Sequence, residues 1–175
     1  MTEWSTNKIR IHDIMRGTSA DGPGLRTSIY CAGCFHHCQG CHNPQTWDPL
    51  SGYEITLGEL YQITRDEELD VTLTGGDPMY NPEKFALLAG KIKETTDLTI
   101  WCYTGFTFEE LIKSPSRMAL AALCDVIVDG PFILEQKKSS LLFRGSCNQR
   151  LIDVRRTLST GIITLYTPDN ILNLE

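Results

Sequence analysis

Four cysteines lie within eleven residues, and this segment restricts what the chain can form more than any other feature of its sequence. It reads Cys31-Ala-Gly-Cys34-Phe-His-His-Cys38-Gln-Gly-Cys41, and its last three cysteines have the spacing C-x3-C-x2-C. Three thiolates on one short loop can hold three irons of a [4Fe–4S] cluster, whereas a closed electron-transfer cluster takes four protein ligands. The spacing therefore predicts an iron–sulfur cluster on Cys34, Cys38 and Cys41, with one iron left to bind a substrate.

A structural zinc site is the competing interpretation of the same segment, with Cys31-x2-Cys34 paired with Cys38-x2-Cys41. Structural zinc sites usually separate their two cysteine pairs by a longer span than the three residues between Cys34 and Cys38. A zinc site would also leave the motifs further along the chain unexplained.

The remaining cysteines are not expected to bind metal. Seven cysteines are an odd number, and four of them are grouped too tightly for an ordinary disulfide framework, so reduced thiols are expected. Cys31 ends a predicted strand and should pack as a small apolar residue. The same packing is expected of Cys102, Cys124 and Cys147.

Length and charge restrict the class of protein. A chain of 175 residues suffices for one core, so residues 1–175 are predicted to form a single domain. Sixteen basic and 22 acidic residues give a net charge of −6, and no nucleic acid or anionic membrane is therefore expected as a partner. No apolar run approaches a membrane span and residues 1–8 lack the apolar stretch of a signal peptide, which predicts a cytoplasmic protein.

Predicted strands and helices alternate along the chain. Helices are indicated from Thr56 and Thr107, where Glu59 and Glu110 complete capping boxes, and near Asn81-Pro82, with Asn as cap and Pro at the first helical position. β-branched and aromatic residues predict strands at 9–15, 27–30, 71–74, 98–103, 125–128 and 162–166. Strands separated by such helices pair in parallel, which predicts an α/β fold. A closed eight-stranded barrel takes about 250 residues, so we expect an incomplete (partial) TIM-type α/β barrel with mostly parallel strands.

Two loops should meet in one pocket. The cysteine loop, residues 31–41, follows the strand at 27–30, and the glycine loop, Gly75-Gly76-Asp77-Pro78, follows the strand at 71–74. In sheets of this kind the chemistry collects beyond the carboxyl ends of the strands. The sequence therefore predicts that both loops face the same crevice.

Six motifs together carry a family resemblance. They are Asp21-Gly-Pro-Gly24, Cys34-x3-Cys38-x2-Cys41, Gly75-Gly-Asp-Pro78, Tyr103-Thr-Gly105, Asp129-Gly130-x-Phe132 and Arg144-Gly-Ser-x-Asn-Gln-Arg150. With them the chain resembles a radical S-adenosylmethionine (SAM) enzyme of the glycyl-radical activase type, and within that type the activating proteins of anaerobic ribonucleoside-triphosphate reductase. Activases of pyruvate formate-lyase share the first motif but are longer and lack the last, so they rank second. The Asp129-Gly130 and Arg144-to-Arg150 motifs identify the family and have no assigned chemical step.

The resemblance implies a mechanism. Cys34, Cys38 and Cys41 would bind three irons, and the fourth iron would chelate the amino and carboxylate groups of SAM. The reduced cluster would pass one electron to the sulfonium, so that the bond to the 5′ carbon breaks. The 5′-deoxyadenosyl radical would then take hydrogen from a glycine Cα of the reductase. A separate one-electron donor, such as flavodoxin, is implied.

The resemblance also assigns residues to SAM. Gly75-Gly76-Asp77 would contact its methionine part, since glycines permit close backbone approach and Asp77 could balance the ammonium group. Gly40 would leave room beside the cluster at Cys41. His42 occupies the position where the family places an aromatic residue beside the adenine.

Two further expectations complete this interpretation. His36 and His37 are expected to be structural or solvated rather than ligands. A non-catalytic iron–sulfur carrier, or a zinc-stabilised module, is the alternative from another functional class. A carrier needs no SAM loop, so the glycine loop and the vacant ligand position argue against it.

Overall fold

The computed structural model describes residues 3–167, which fold around one seven-stranded sheet. Its strands are β1 (Lys8–Thr18), β2 (Arg26–Cys31), β3 (Tyr53–Thr56), β4 (Asp70–Gly75), β5 (Ile100–Tyr103), β6 (Val126–Asp129) and β7 (Arg150–Asp153). The α-helices of this region are α1 (Leu57–Glu67), α2 (Pro82–Thr95), α3 (Phe108–Leu111), α4 (Pro115–Ala121) and α5 (Val154–Thr160). None of the helices in residues 3–167 has the length and apolar composition needed to cross a membrane.

The strand order is β3-β1-β2-β4-β5-β6-β7. Neighbours β2, β4, β5 and β6 pair in parallel, whereas β1 is antiparallel to β2 and to β3, and β7 is antiparallel to β6. Strands β2, β3, β4, β5 and β6 thus point in one direction, and β1 and β7 in the other. The prediction of an α/β fold with mostly parallel strands is confirmed.

The helices predicted from Thr56 and from Asn81-Pro82 are both present. Thr56 and Glu59 form a capping box at α1: Glu59 N donates to Thr56 Oγ1 at 3.2 Å, and Thr56 N donates to Glu59 Oε2 at 2.9 Å. Helix α2 begins at Pro82 and buries Phe85, Leu88 and Ile92 in the core. Asn81 occupies the N-cap position of α2, but its side chain makes no capping hydrogen bond.

The edges of the sheet differ from the prediction. Strands β3 and β7 were not predicted, since each is four residues long and carries polar residues within or at its ends. The final strand predicted at 162–166 is wrong: only Leu165 forms a bridge, to Ile152. Ile162 is 71% exposed and Leu165 57% exposed, so these apolar side chains lack the packing that would hold a full strand against β7.

The helix predicted from Thr107 ends after one turn. Its capping box with Glu110 is present, and α3 covers only Phe108–Leu111. Ser114 precedes Pro115, and a residue before proline is driven away from helical geometry. The chain therefore starts a second helix, α4, with Pro115 in its first turn.

Candidate functional site

A pocket of about 300 Å³ opens at the carboxyl ends of the parallel strands. Tyr30 of β2, Gly75 of β4 and Tyr103 of β5 line it, together with Gly130 directly after β6. The cysteine loop and the glycine loop both contribute to its lining. The expected convergence of the two loops is confirmed.

The three cysteines of the C-x3-C-x2-C spacing all line this pocket as free thiols. Burial raises the pKa of Cys34 to about 11 and also raises the pKa of Cys38 above its ordinary value. Asn43 N donates to Cys41 Sγ at 3.4 Å. Unpaired soft donors converging on one cavity, with a backbone N–H directed at a sulfur, fit the chemistry of an iron–sulfur cluster.

The remaining cysteines lie apart from the pocket lining. Cys31 is 1% exposed and belongs to the apolar core, as do Cys102 and Cys124, so packing is confirmed for these three. Packing is wrong for Cys147, which is exposed, whereas Ser146 and Gln149 of the same motif are buried. A zinc site would need Cys31 and Cys34 on one ion, whereas the structure points Cys31 into the core.

Within residues 3–167 no group of three or more histidine, cysteine, aspartate or glutamate side chains converges on a single-ion site. A [4Fe–4S] cluster binds each ligand sulfur to a different iron, so its site is wider than that of one ion.

The cysteine loop is fixed by backbone contacts at its start. Gly33 N donates to Thr46 O at 2.8 Å, and Cys34 N donates to Trp47 O at 3.0 Å. Gly40 lies outside the pocket lining and has a φ of 73°; a Cβ there would stand 2.9 Å from a methyl of Leu134. The structure therefore gives this glycine a packing role, in addition to the space beside the cluster that the sequence suggests.

The glycine loop is packed against the cysteine loop by its backbone. Gly76 N donates to Cys31 O and Asp77 N donates to Gly33 O, both at 2.9 Å. Gly75 has a φ of 92°, and a Cβ on Gly76 would stand 2.9 Å from Cys31 O. Both glycines are thus required for the two loops to meet.

The Asp77 carboxylate is 1% exposed and already has protein partners on both oxygens. Oδ1 accepts from Met79 N at 2.9 Å, and Oδ2 accepts from Thr104 Oγ1 at 2.9 Å and from Gly105 N at 3.0 Å. His36 Nε2 donates to the same Oδ2 at 2.8 Å. The family resemblance implies that this carboxylate contacts the ammonium of SAM; in the structure Asp77 belongs to the pocket lining, and its oxygens accept these four hydrogen bonds from the protein.

Another wall of the pocket contains His42 and residues of two motifs that have no assigned chemical step. His42 lines the pocket with its ring 5.0 Å from that of Phe132, and a Cβ on Gly145 would stand 2.9 Å from the Phe132 ring. Gln149 Oε1 accepts from Gly145 N at 2.8 Å, and its Nε2 donates to Gly130 O at 3.1 Å. The Asp129-Gly130-x-Phe132 and Arg144-to-Arg150 motifs therefore form one wall of the pocket.

Arg150, Asp129 and Glu109 form a charged cluster at this wall, called the arginine brace below. Arg150 Nε donates to Asp129 Oδ1 at 3.1 Å, and its two terminal nitrogens donate to Glu109 at 3.0 and 2.7 Å. These bonds raise the pKa of Arg150 above its ordinary value and lower the pKa of Glu109. Phe108 N donates to Asp129 at 2.8 Å, which joins the brace to α3.

Tyrosine hydroxyls occupy the remaining side of the pocket. Tyr30 Oη donates to Asp21 Oδ2 at 2.9 Å, and Tyr103 Oη donates to Phe143 O at 2.8 Å. Burial raises the pKa of both tyrosines, so both hydroxyls stay neutral at physiological pH. The Asp21-Gly-Pro-Gly24 motif thereby reaches the same site as the two loops.

Known proteins resemble the chain over most of its length. Residues 20–152 match the family model described as 4Fe-4S single cluster domain. The anaerobic ribonucleoside-triphosphate reductase-activating protein of Vibrio cholerae is 40% identical over 138 residues, covering 74% of this chain and 88% of that protein. Proteins of the same name from Escherichia coli K12 and Enterobacteria phage T4 are 36% and 35% identical, covering 74% and 75% of this chain and 88% and 85% of those proteins. The chain belongs to the family of anaerobic ribonucleoside-triphosphate reductase-activating proteins and carries its 4Fe-4S domain.

Proposed function

We propose that the protein is a radical SAM activase, which cleaves SAM reductively and generates a glycyl radical on anaerobic ribonucleoside-triphosphate reductase. The observation that carries this proposal is the meeting of three free thiols and the glycine loop in one pocket. Membership of the family of reductase-activating proteins supports the choice of partner.

The cluster would be held by Cys34, Cys38 and Cys41. When bound, a [4Fe–4S] cluster on three thiolates supplies one electron and one iron free of protein ligands, which reductive cleavage of SAM requires. Thiols bind iron as thiolates, so Cys34 and Cys38, whose pKa values are raised by burial, give up their protons on loading. Gly40 and Cys41 would lie beside the cluster.

The SAM site would lie between the two walls of the pocket. The backbone of Gly75-Gly76 is exposed to the cavity for lack of side chains, which suits close contact with the methionine part. His42 would provide a ring edge or face for the adenine. Asp77 would act by fixing the loops, since its own oxygens are occupied by protein donors.

At the level of the molecule we propose an incomplete barrel of the radical SAM type, formed by residues 1–175 as a single cytoplasmic domain. The run of four parallel strands with the pocket at their carboxyl ends supports this assignment. An open lateral face would admit a glycine-bearing loop of a large protein. A separate one-electron donor, such as flavodoxin, would reduce the cluster.

Spectroscopy on the reconstituted protein tests the proposal. The protein is loaded with iron and sulfide without oxygen, reduced, and measured by electron paramagnetic resonance (EPR) with and without SAM. We expect SAM to change the cluster signal and 5′-deoxyadenosine to form. An unchanged signal with no 5′-deoxyadenosine would refute the radical SAM function.

The choice of partner needs its own comparison. The loaded protein, SAM and reductant are incubated separately with the anaerobic reductase and with pyruvate formate-lyase. A glycyl radical doublet is expected with the reductase. A doublet that forms only with the formate-lyase would make the chain an activase of the second-ranked type.

A further inference from the structure

The side chains of His36 and Asp77 join the cysteine loop to the glycine loop inside the protein. His36 lies between two cysteines of the C-x3-C-x2-C motif, and its Nε2 donates to Asp77 Oδ2 at 2.8 Å. Asp77 is 1% exposed and the His36 side chain 17%, so the bond is shielded from water. A shielded hydrogen bond to a carboxylate is stronger than one at the surface.

A third loop, the turn after β5, enters the same junction. Thr104 Oγ1 and Gly105 N donate to the oxygen that His36 contacts, at 2.9 and 3.0 Å. Asp77 Oδ2, which belongs to the glycine loop, thus accepts hydrogen bonds from the cysteine loop and from the β5 turn. Three segments from the ends of β2, β4 and β5 are tied at one atom.

Aromatic packing fixes the His36 ring in the position that makes this bond. The ring centroid lies 4.6 Å from that of Phe106 and 5.5 Å from that of Tyr80. Gly105 also approaches the ring closely: a Cβ there would stand 2.7 Å from Nε2. The absence of a side chain at 105 is therefore a requirement of the histidine's position.

His37, the next residue, has none of these contacts. It is exposed, has a φ of 47°, and packs its ring 4.9 Å from that of Trp47. Two adjacent histidines in the same loop thus differ in burial and in partners. This difference separates a role for His36 from a general need for histidine in the loop.

We infer that His36 is a positioning residue, which acts through Asp77 to set the placement of the cluster-bearing loop against the SAM-binding glycine loop. The inference rests on the proposed function, since it concerns the distance between a cluster and SAM. It assigns Asp77 an internal structural acceptor role instead of contact with the ligand's ammonium group. His36 itself would not bind iron.

A matched pair of substitutions tests the inference. Asn at position 36 carries its amide one methylene too short to reach the place of Nε2, and Asn at position 37 tolerates the positive φ. In His36→Asn the SAM concentration for half of the EPR change should rise by about 10- to 100-fold, the effect expected from the loss of one hydrogen bond to a charged group. Iron content per chain should stay at the wild-type level, and His37→Asn should behave as wild type.

Two more variants test separately the hydrogen-bond donor at position 36 and the position of the His36 ring. His36→Gln keeps a donor at the reach of Nε2 and should restore SAM binding to near wild type. Gly105→Ala changes neither His36 nor Asp77 but displaces the His36 ring, and it should weaken SAM binding as His36→Asn does. Gly90→Ala is its control, because a Cβ at Gly90 meets only Leu123, at 3.8 Å.

The outcomes distinguish this inference from the proposed function. If wild-type protein shows no response to SAM, the proposed function fails. If wild type responds and His36→Asn responds equally, only the positioning role fails. Loss of iron in His36→Asn, or equal weakening in His37→Asn, would also overturn it, because the histidine would then serve the ligand loop itself or act without specificity.

Discussion

At the scale of single residues, burial separates the cysteines that can bind a cluster from those that cannot. Cys34 and Cys38 are half-buried in the pocket wall, whereas Cys31, three residues before Cys34, is 1% exposed in the core. A thiol in that position lacks access to a metal and has a pKa raised by desolvation. Neighbouring cysteines with the same chemistry thus receive different roles from the fold.

Alanine substitutions at the cysteines test this separation. Cys34→Ala, Cys38→Ala and Cys41→Ala should each abolish SAM cleavage and reduce the iron retained after anaerobic reconstitution. Cys31→Ala should keep iron and much of the cleavage, with a stability loss of about 1 kcal/mol from the small cavity.

The exposed Cys147→Ala variant is the control for loss of a thiol away from the pocket. Iron per chain and 5′-deoxyadenosine formed are the two measurements. If Cys31→Ala loses the cluster as completely as Cys34→Ala, the assignment of three ligands is wrong.

At the scale of elements, short polar contacts start the helices and join the ends of the strands. The capping boxes start α1 and α3, and the Arg150 brace joins β7 to β6 and α3. Each of these contacts includes a carboxylate whose ionised form is the partner. The stability of these elements should therefore depend on pH and on Arg150.

Acid should weaken the capped helices. Hydrogen bonds to Thr56 and Thr107 lower the pKa of Glu59 and Glu110, and bonds from Arg150 lower that of Glu109. A group with a lowered folded-state pKa stabilises fully above its unfolded value, 4.5, and loses that contribution as the pH falls through the folded value. Urea midpoints should therefore fall between about pH 5 and pH 3.

Glu59→Gln isolates one part of this effect. The amide can still cap α1 but does not titrate, so the variant should be less stable than wild type at pH 7 and closer to it at pH 3. An equal difference at both pH values would contradict the role given to the ionised Glu59.

Removing the arginine brace should loosen the wall of the pocket. Arg150→Met leaves the Asp129 carboxylate, 1% exposed, with Phe108 N as its remaining described donor, and a buried unsatisfied acceptor costs about 1 to 3 kcal/mol. Arg156→Met is the matched control, since Arg156 is 74% exposed beside Asp153 and such pairs contribute about 0 to 1 kcal/mol. Equal unfolding free energies for the two variants would show that the brace has no special weight.

At the scale of the whole molecule, the parallel centre of the fold was predictable and its edges were not. Strands β2, β4, β5 and β6 are mostly buried and carry β-branched or aromatic residues, which favour strands. Strands β3 and β7 are short edge strands whose pairing depends on distant partners. The predicted strand at 162–166 is wrong because its apolar residues have no surface to pack against: Ile162 and Leu165 are exposed.

The functional site also has a part that was predictable from the sequence and a part that was not. The convergence of the cysteine and glycine loops was predictable, because both follow parallel strands. The partners of Asp77 and the wall built by Phe132 and Gln149 were not predictable. They depend on contacts between residues far apart in the chain, such as Gly105 N with Asp77 and the ring of His42 with that of Phe132.

One measurement tests the central claim most directly. Anaerobic ribonucleoside-triphosphate reductase is labelled with deuterium at the glycine Cα and incubated with the loaded protein, SAM and reductant. The account predicts a glycyl radical whose EPR doublet collapses toward a singlet, and deuterium recovered in 5′-deoxyadenosine. A reductase without any glycyl signal, together with 5′-deoxyadenosine free of deuterium, would contradict it.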